Sequence, residues 1–267
     1  MKKLSILLTV LFISFNATLI YAGWHIIEEE IADGGQSTIT KIWIEKGKFK
    51  HSEGEFDFIY DESEELLTYI NHKSKTYWTG NLSSYKEEII HAKKAIMDKT
   101  LEGLPPEQRE NYKKLLKEQE EALAQQSKSV DVVINNTGII EKILGFKTTK
   151  YEVIVDGELK EELWISKEND FYKDLDYDKF NKIMKEMSQA SLDDYTTDEK
   201  YTSMFRNSFP LRKVVYKKDN KQSNQYLPDA GKTTTEVKSA VNESIPDNVF
   251  QVPTNYKNVS LVDFMTQ

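Results

Sequence analysis

The stretch FDFIYDESEELLTYIN, residues 56–71, indicates the fold most clearly, because two strand patterns flank one polar turn. Phe56, Phe58 and Tyr60 fall at every second position, which is the period of a half-buried strand. The acidic residues 61–65 form the turn, and a second apolar run follows it. So short a connection predicts an antiparallel hairpin rather than a parallel crossover.

Similar short runs continue on both sides of this hairpin. Strand patterns lie at residues 24–31, 38–44, 76–79, 130–134, 139–144, 151–155, 162–165, 211–216 and 233–241. Turn signals such as Asp156-Gly157 separate them. Helical patterns interrupt the strands twice, in a broken pair at about 82–127 and in one stretch at 171–190. The sequence therefore predicts an α+β fold, with a curved antiparallel sheet whose concave face is covered by helices.

The N-terminal segment, residues 1–22, is typical of a secretory signal peptide. Two lysines precede an apolar run that ends at Ala22, so cleavage is predicted before Gly23. Ile20 fits an Ala-x-Ala site less well, and the cut can shift by a residue or two. The alternative is a retained membrane anchor, but polar residues inside the run disfavour it. We expect a periplasmic or secreted protein with residues 23–267 as a single domain.

Charge and cysteine content narrow the class further. Removing Lys2 and Lys3 with the signal peptide leaves 34 basic residues against 44 acidic ones, a net charge of −10. We expect so acidic a chain not to bind nucleic acid. The sequence has no cysteine, so neither a lipid-modified cysteine nor a disulfide is available. We expect a monomer whose 245 remaining residues bury their own core.

The short motifs of the sequence lack the specificity that catalysis or cofactor binding requires. Residues 231–233, Gly-Lys-Thr, resemble the end of a phosphate-binding loop, but Tyr226 stands where its first glycine belongs. Asp174, Asp176 and Asp178 have calcium-loop spacing, but the sharp-turn glycine is missing. A solvated, acidic helix start explains these three residues better.

Histidines and paired carboxylates give equally weak signals. His51 and His72 could meet across neighbouring strands, which leaves a metal site open. The acidic run at residues 28–30 is interpreted as a solvated face, because adjacent carboxylates are expected in so acidic a chain. We therefore predict no catalytic, cofactor-binding or metal-binding residue, and a protein that is not an enzyme.

Three parts of the chain resemble a known family. They are the strand series at 41–77, the stretch GIIEKILGFKTTKY at 138–151 with its return strand at 162–166, and the segment 245–256 that begins Ile-Pro-Asp. This series resembles exported bacterial proteins of the domain-of-unknown-function DUF4412 type. These in turn are similar to the periplasmic lipoprotein carriers of the LolA/LolB-like fold. The stretch LPPEQR at 104–109 also resembles the first group.

The resemblance implies an unclosed, LolA-like β-barrel with helices over its concave face. In the carriers that hollow takes acyl chains, so we expect a binding or carrier protein for an apolar ligand, an acyl chain or a lipoprotein. Transient contact with the membrane or with envelope proteins is expected too. Aromatic side chains would line the hollow: Phe56, Phe58, Tyr60, Tyr69, Tyr77 and Trp164. A helix would form its lid through Tyr85, Ile89 and Ile96.

Two alternatives stay open at this point. The same aromatic side chains would instead fill a solid core and leave no hollow. The fold could also serve as an envelope protein-interaction or stress-sensing scaffold that takes no small ligand.

Overall fold

The computed structural model describes residues 22–125, 130–187, 194–206, 208–217 and 231–267. The predicted signal peptide lies outside the described residues, except for Ala22. The last residues of the predicted helix at 171–190 and the segment before Gly231 also lie outside them.

Short strands alternate with five helices along the described chain. The strands are β1 (Gly23–Ala32), β2 (Ser37–Glu45), β3 (Lys48–Glu53), β4 (Phe56–Asp61), β5 (Leu66–Asn71), β6 (Thr76–Gly80), β7 (Val132–Ile143), β8 (Phe146–Val155), β9 (Glu158–Ser166), β10 (Phe209–Lys217), β11 (Gly231–Glu243) and β12 (Lys257–Asn258). The helices are α1 (Leu82–Gly103), α2 (Pro106–Gln125), α3 (Tyr177–Met187), α4 (Glu199–Ser203) and α5 (Leu261–Met265). Two 3₁₀ turns lie at Asp194–Thr197 and Asp247–Phe250.

The twelve strands form one sheet, in the order β12-β6-β5-β4-β3-β2-β1-β11-β10-β9-β8-β7. Neighbouring strands are antiparallel, except that β12 runs parallel to β6. Pairing between β1 and β11 joins the N-terminal and C-terminal parts of the sheet. The sheet is curved and not closed. These features confirm the predicted α+β class and its antiparallel sheet.

Several elements differ from the sequence prediction: α4, α5 and β12 were not predicted, and three further differences have a clear cause. Strand β3 was not predicted, because only Phe49 of its six residues is apolar and its pairing with β2 and β4 supplies the missing order. Strand β7 was predicted as two strands, but a bulge between Asn136 and Ile140 carries the pairing through. Helix α3 begins at Tyr177 rather than near residue 171.

The sheet has two unlike faces. Ile44, Phe49, Tyr60 and Leu67 are aligned across β2 to β5, and all four are buried. Phe180 of α3 packs on this row, with ring centroids 4.7 Å from Phe49 and 5.7 Å from Tyr60. We call this side of the sheet the helix face and the other side the open face.

The predicted helical pair covers the sheet only in part. Tyr85 and Ile89 of α1 pack against the main core, and α1 also packs on α5. The side chain of Ile90 is 68% exposed, and α2 is mostly exposed as far as Glu118. The helix-face cover therefore consists of α3, α4, α5 and the first half of α1. Among the described residues, no helix is both long and apolar enough to cross a membrane.

Candidate functional site

A cavity of about 550 Å³ lies between the helix face and the region of α3 and α4. Strands β1, β2, β3, β10 and β11 form its floor, and α3, α4 and the chain next to them form its roof. Its rim includes Glu30 and Glu53, which are exposed. Small-molecule sites typically enclose roughly 300–1,000 Å³, so this volume fits a binding site.

The cavity wall combines an apolar and a polar part. The apolar part is mostly aromatic and consists of Ile42, Phe49, Tyr172, Tyr177, Phe180, Met184, Tyr201, Phe205, Phe209, Pro210 and Val215. The polar part consists of Glu28, Glu30, Thr40, His51, Glu53, Asn181, Lys213, Thr233 and Thr235. A ligand with an apolar body and one polar end would match both parts.

Two titratable groups in the cavity have perturbed pKa values. Burial raises the pKa of Glu28 to about 7, Lys213 partly opposes this effect, and Glu30 adds to it. Burial also lowers the pKa of His51, although Glu53 and Asp57 act in the opposite direction. Burial therefore favours the neutral form of both side chains. Perturbed groups in a cleft are typical of functional sites.

A buried carboxylate fixes the roof over the sheet. Glu161 of β9 is 1% exposed and accepts hydrogen bonds from the hydroxyls of Tyr195 and Tyr201, each at 2.8 Å. Its Oε1 also lies 3.5 Å from Nζ of Lys213. Burial raises the pKa of Tyr201, and the nearby Glu161 adds to the effect, so the Tyr201 hydroxyl stays protonated and donates its hydrogen bond. These contacts anchor Tyr201 and Lys213, which are two of the residues that line the cavity.

The residues that the sequence predicted to line a hollow do not line this cavity. Phe58, Tyr60 and Tyr69 are on the helix face but belong to a solid aromatic core. The ring of Tyr69 lies 5.2 Å from Phe58 and 6.3 Å from Tyr85. Phe56 ends the same row and is 52% exposed. Beneath α1 and α5 the interior is therefore filled, as the first alternative proposed, and the hollow lies further along the sheet beneath α3.

Tyr77 lies on the open face, whereas Trp164 is buried in the main core, so neither lines the cavity. Trp78 faces the helices beside Tyr69, which turns its neighbour Tyr77 away from them. Trp164 follows Leu163, which packs in the core cluster beneath α4. Trp164 itself is 9% exposed, and Lys150 and Arg212 lie over its ring at 5.1 and 5.2 Å.

The predicted lid also has a different position. Tyr85 and Ile89 pack on the filled part of the core, and Ile96 is 36% exposed further along α1. Residues of α3, such as Phe180 and Met184, lie over the cavity instead. The helix over the cavity is therefore α3, whereas the predicted lid residues belong to α1. The sequence could not distinguish the two helices, because an apolar stripe does not tell which strands it packs against.

The two histidines that could have formed a metal site are separated by the sheet. His51 lies in the cavity on the helix face, whereas His72 bonds to Asp57 on the open face, Nε2 to Oδ2 at 2.9 Å. His72 also bonds to the Tyr256 hydroxyl at 2.8 Å, and Lys50 donates to the carbonyl of Val249. This cluster holds the C-terminal segment on the open face. No group of three metal-ligating side chains occurs within the described ranges.

Asp57 at the centre of that cluster is ionised. Burial alone would raise the pKa of Asp57, but hydrogen bonds from Lys50, Ser52 and His72 outweigh burial and leave the pKa below its usual value. The Nζ atom of Lys50 lies 2.7 Å from Oδ2 of Asp57. The cluster is therefore a charged structural clamp.

The acidic part of the cavity was not predicted from the sequence. Residues 28–30 were expected to form a solvated face, but Glu28 is partly buried in the cavity. A signal was present in β1, because Glu28 continues the helix-face row of Trp24 and Ile26 by strand alternation. A carboxylate in the apolar row of a strand is the pattern that would have found it. The acidic start of α3 behaves as predicted, since Asp176 accepts a hydrogen bond from the Lys179 amide at 3.0 Å.

The fold and the cavity together define the structural class of this protein. It is an open antiparallel sheet with a cavity that helices cover and whose wall has an apolar and a polar part. The family model "Domain of unknown function (DUF4412)" matches residues 106–256, and the chain belongs to this family. This confirms the resemblance that the strand series indicated. No curated protein matches the sequence.

Distant likenesses are found among the solved structures that match. Two structures of PNGF-II, in space groups C2 and P21, are 9% identical to this chain, with a TM-score of 0.38. They cover 91% and 92% of this chain, which spans only 32% of theirs. A LolA superfamily protein from Nitrosomonas europaea is 7% identical, covers 86% of this chain and 90% of its own, and has a TM-score of 0.24. Scores this low carry no argument about function.

Proposed function

We propose that the mature protein is an exported, periplasmic or secreted binding or carrier protein for a ligand with an apolar body, such as an acyl group. The observation that carries this proposal is the cavity of about 550 Å³ beneath α3, with its aromatic wall. Apolar walls with a few polar groups are typical of small-molecule sites. Export is supported by the predicted signal peptide.

The charges of the cavity define the polar end of the ligand. Glu28, Glu30 and Glu53 line it, whereas Lys213 is the one cation among its lining residues and already faces Glu161. A ligand carboxylate would enter against this charge, so a neutral or cationic end is favoured. Ester- or amide-linked acyl groups, as in a lipoprotein, satisfy this condition better than a free fatty acid.

We propose binding rather than catalysis for the same residues. A nucleophile and its base must lie within hydrogen-bond reach of each other. Among the described residues, no hydrogen bond joins His51 to a carboxylate or to a hydroxyl. Glu28 and His51 then act as acceptors or donors for the polar end of the ligand.

The test is a pair of tryptophan substitutions on β11. Thr235 lines the cavity, whereas its neighbour Thr234 faces the open side. We expect Thr235→Trp to fill the cavity and weaken binding of dodecanol and dodecylamine at least tenfold, and Thr234→Trp to leave it unchanged. Titration calorimetry measures the affinities, and native mass spectrometry gives the stoichiometry.

Dodecanoate is the matched ligand control. At pH 8 we expect it to bind more weakly than dodecylamine, because the carboxylates of the cavity repel its negative charge. If none of the three C12 ligands binds, or if both tryptophan variants behave alike, the carrier proposal fails.

A second candidate, a protein-interaction scaffold, is favoured by the exposed surfaces of α1 and α2. Ile90 is 68% exposed, and Met97 is 36% exposed on the same helix. An affinity pull-down that recovers a stoichiometric envelope protein, lost when Ile90 is replaced by Glu, would support this candidate.

A further inference from the structure

Glu45, at the end of β2, is a buried carboxylate with incomplete hydrogen bonding. It is 3% exposed, and its Oε1 has no hydrogen-bond partner among the described residues. Its Oε2 lies 3.6 Å from Nζ of Lys46, whose side chain is 51% exposed. A buried charge without full pairing is costly, so such a carboxylate calls for a further donor.

The backbone position next to the Glu45 side chain is Gly23. Trp24 is opposite Ile44, so the next position places Gly23 beside Glu45. A methyl group at Gly23 would lie 2.6 Å from Cβ of Glu45 and 2.7 Å from Cδ1 of Ile245. Gly23 thus contacts the Glu45 side chain closely, and only glycine fits there.

The other strand that pairs with β1 is β11, and it also has an acidic residue at this position. Gly23 is directly opposite Glu243 of β11. Acidic residues on both flanking strands therefore meet at one backbone position, which is the first residue after the predicted cleavage site.

We propose that Glu45 is the binding site for the chain's own α-ammonium group, which signal-peptide cleavage creates at Gly23. Hydrolysis adds water across the Ala22–Gly23 bond, leaving a carboxylate on Ala22 and an amine on Gly23 that takes up a proton. The amide nitrogen offers one neutral donor, whereas the ammonium offers three donors and a positive charge. The nitrogen is one bond of about 1.46 Å from the Gly23 Cα, and a Cβ on that same atom would meet the Glu45 side chain. The proposal rests on the proposed export, and it is independent of ligand binding.

Other charged groups near this position modify the pairing without replacing it. Glu243 is half exposed and bonds to His25, Oε1 to Nδ1 at 3.2 Å. Lys46 lies at the opposite oxygen of Glu45. Ile245 covers the buried side, so Glu45 is the carboxylate that water screens least.

The experiment measures the pKa of the Gly23 α-amine in the exported, mature protein. Mass spectrometry first identifies the N-terminal residue, and NMR of protein labelled with ¹⁵N at glycine then follows the titration. An ordinary α-amine has a pKa of about 7.7–8.0, and we expect roughly 9 or higher here. Glu45→Gln should return the pKa to the ordinary range, whereas Glu55→Gln, at an exposed acid, should leave it unchanged.

Three results would overturn the proposal: a mature chain that begins at another residue, an ordinary pKa in the wild type, or a raised pKa that persists in Glu45→Gln. The titration of the wild-type protein tests the proposal even if the Glu45→Gln variant does not fold. Binding of the C12 ligands depends on another part of the molecule, so the two proposals fail separately.

Discussion

At the residue scale, the main finding is a carboxylate within an apolar row. Glu28 follows Ile26 on the helix face, and burial raises its pKa to about 7. A carboxyl whose pKa is higher in the folded than in the unfolded state favours folding at low pH. This contribution is fully present below about 4.5, the unfolded value, and is lost as the pH rises through 7.

We therefore expect Glu28→Gln to stabilise the protein at pH 8 and to leave it nearly unchanged at pH 4.5. The gain at pH 8 should be at most about 3.5 kcal/mol, since the pKa rises from 4.5 to about 7 and one pKa unit corresponds to about 1.4 kcal/mol. Urea unfolding of wild type and variant across this pH range measures it. The exposed Glu30 provides the control, and Glu30→Gln should follow the wild type within about 0.5 kcal/mol. Parallel profiles of wild type and Glu28→Gln would contradict the burial of this carboxyl.

At the element scale, the helices have unequal roles. Helix α3 inserts Phe180 between Phe49 and Tyr60, and the same ring lines the cavity. Helix α1 packs only with its first half, and α2 is mostly exposed as far as Glu118. The longest helical segment is thus not the one that closes the core.

Substitution of one apolar residue on each helix tests this difference. Phe180→Ala should lower the free energy of unfolding by about 3–5 kcal/mol, because it removes a buried aromatic ring. Ile90→Ala on α1 should change it by less than about 0.5 kcal/mol, since Ile90 is already solvated. Thermal and urea unfolding compare the two variants. Equal losses would mean that the helical pair contributes to the core as much as α3 does.

At the scale of the whole molecule, the sheet is one continuous unit, and the family match covers only part of it. The match spans residues 106–256, but β11 within it pairs along its length with β1. The main core likewise combines Ile44 and Phe49 from the first part with Leu211 and Val237 from the second. The matched region by itself therefore lacks the main-core residues that β1 to β6 contribute.

We expect a fragment of residues 106–256 not to fold, whereas residues 23–267 fold cooperatively. The fragment would expose β11 and the apolar residues that β1 and β2 cover. Circular dichroism melting and the dispersion of amide NMR signals measure the outcome. A cooperative transition in the fragment would contradict the single-domain prediction.

The sequence by itself determined the fold class, most of the strands and their turns. Alternation such as that of Phe56, Phe58 and Tyr60, and turns such as Asp156-Gly157, depend on neighbouring residues and can be read locally. Strand β3 has no such pattern, and only its two neighbours in the sheet define it.

Only the tertiary structure decided which aromatic residues fill the core and where the cavity lies. Packing of Tyr69 against Tyr85, and of α3 over Glu28 and His51, joins residues far apart in the chain. An apolar stripe indicates that a side is covered, but not by which element. The sequence likewise does not distinguish Glu45 from the other acidic residues. Its burial beside Gly23 depends on the β1–β2 register and on the contact with Ile245, which only the tertiary structure shows.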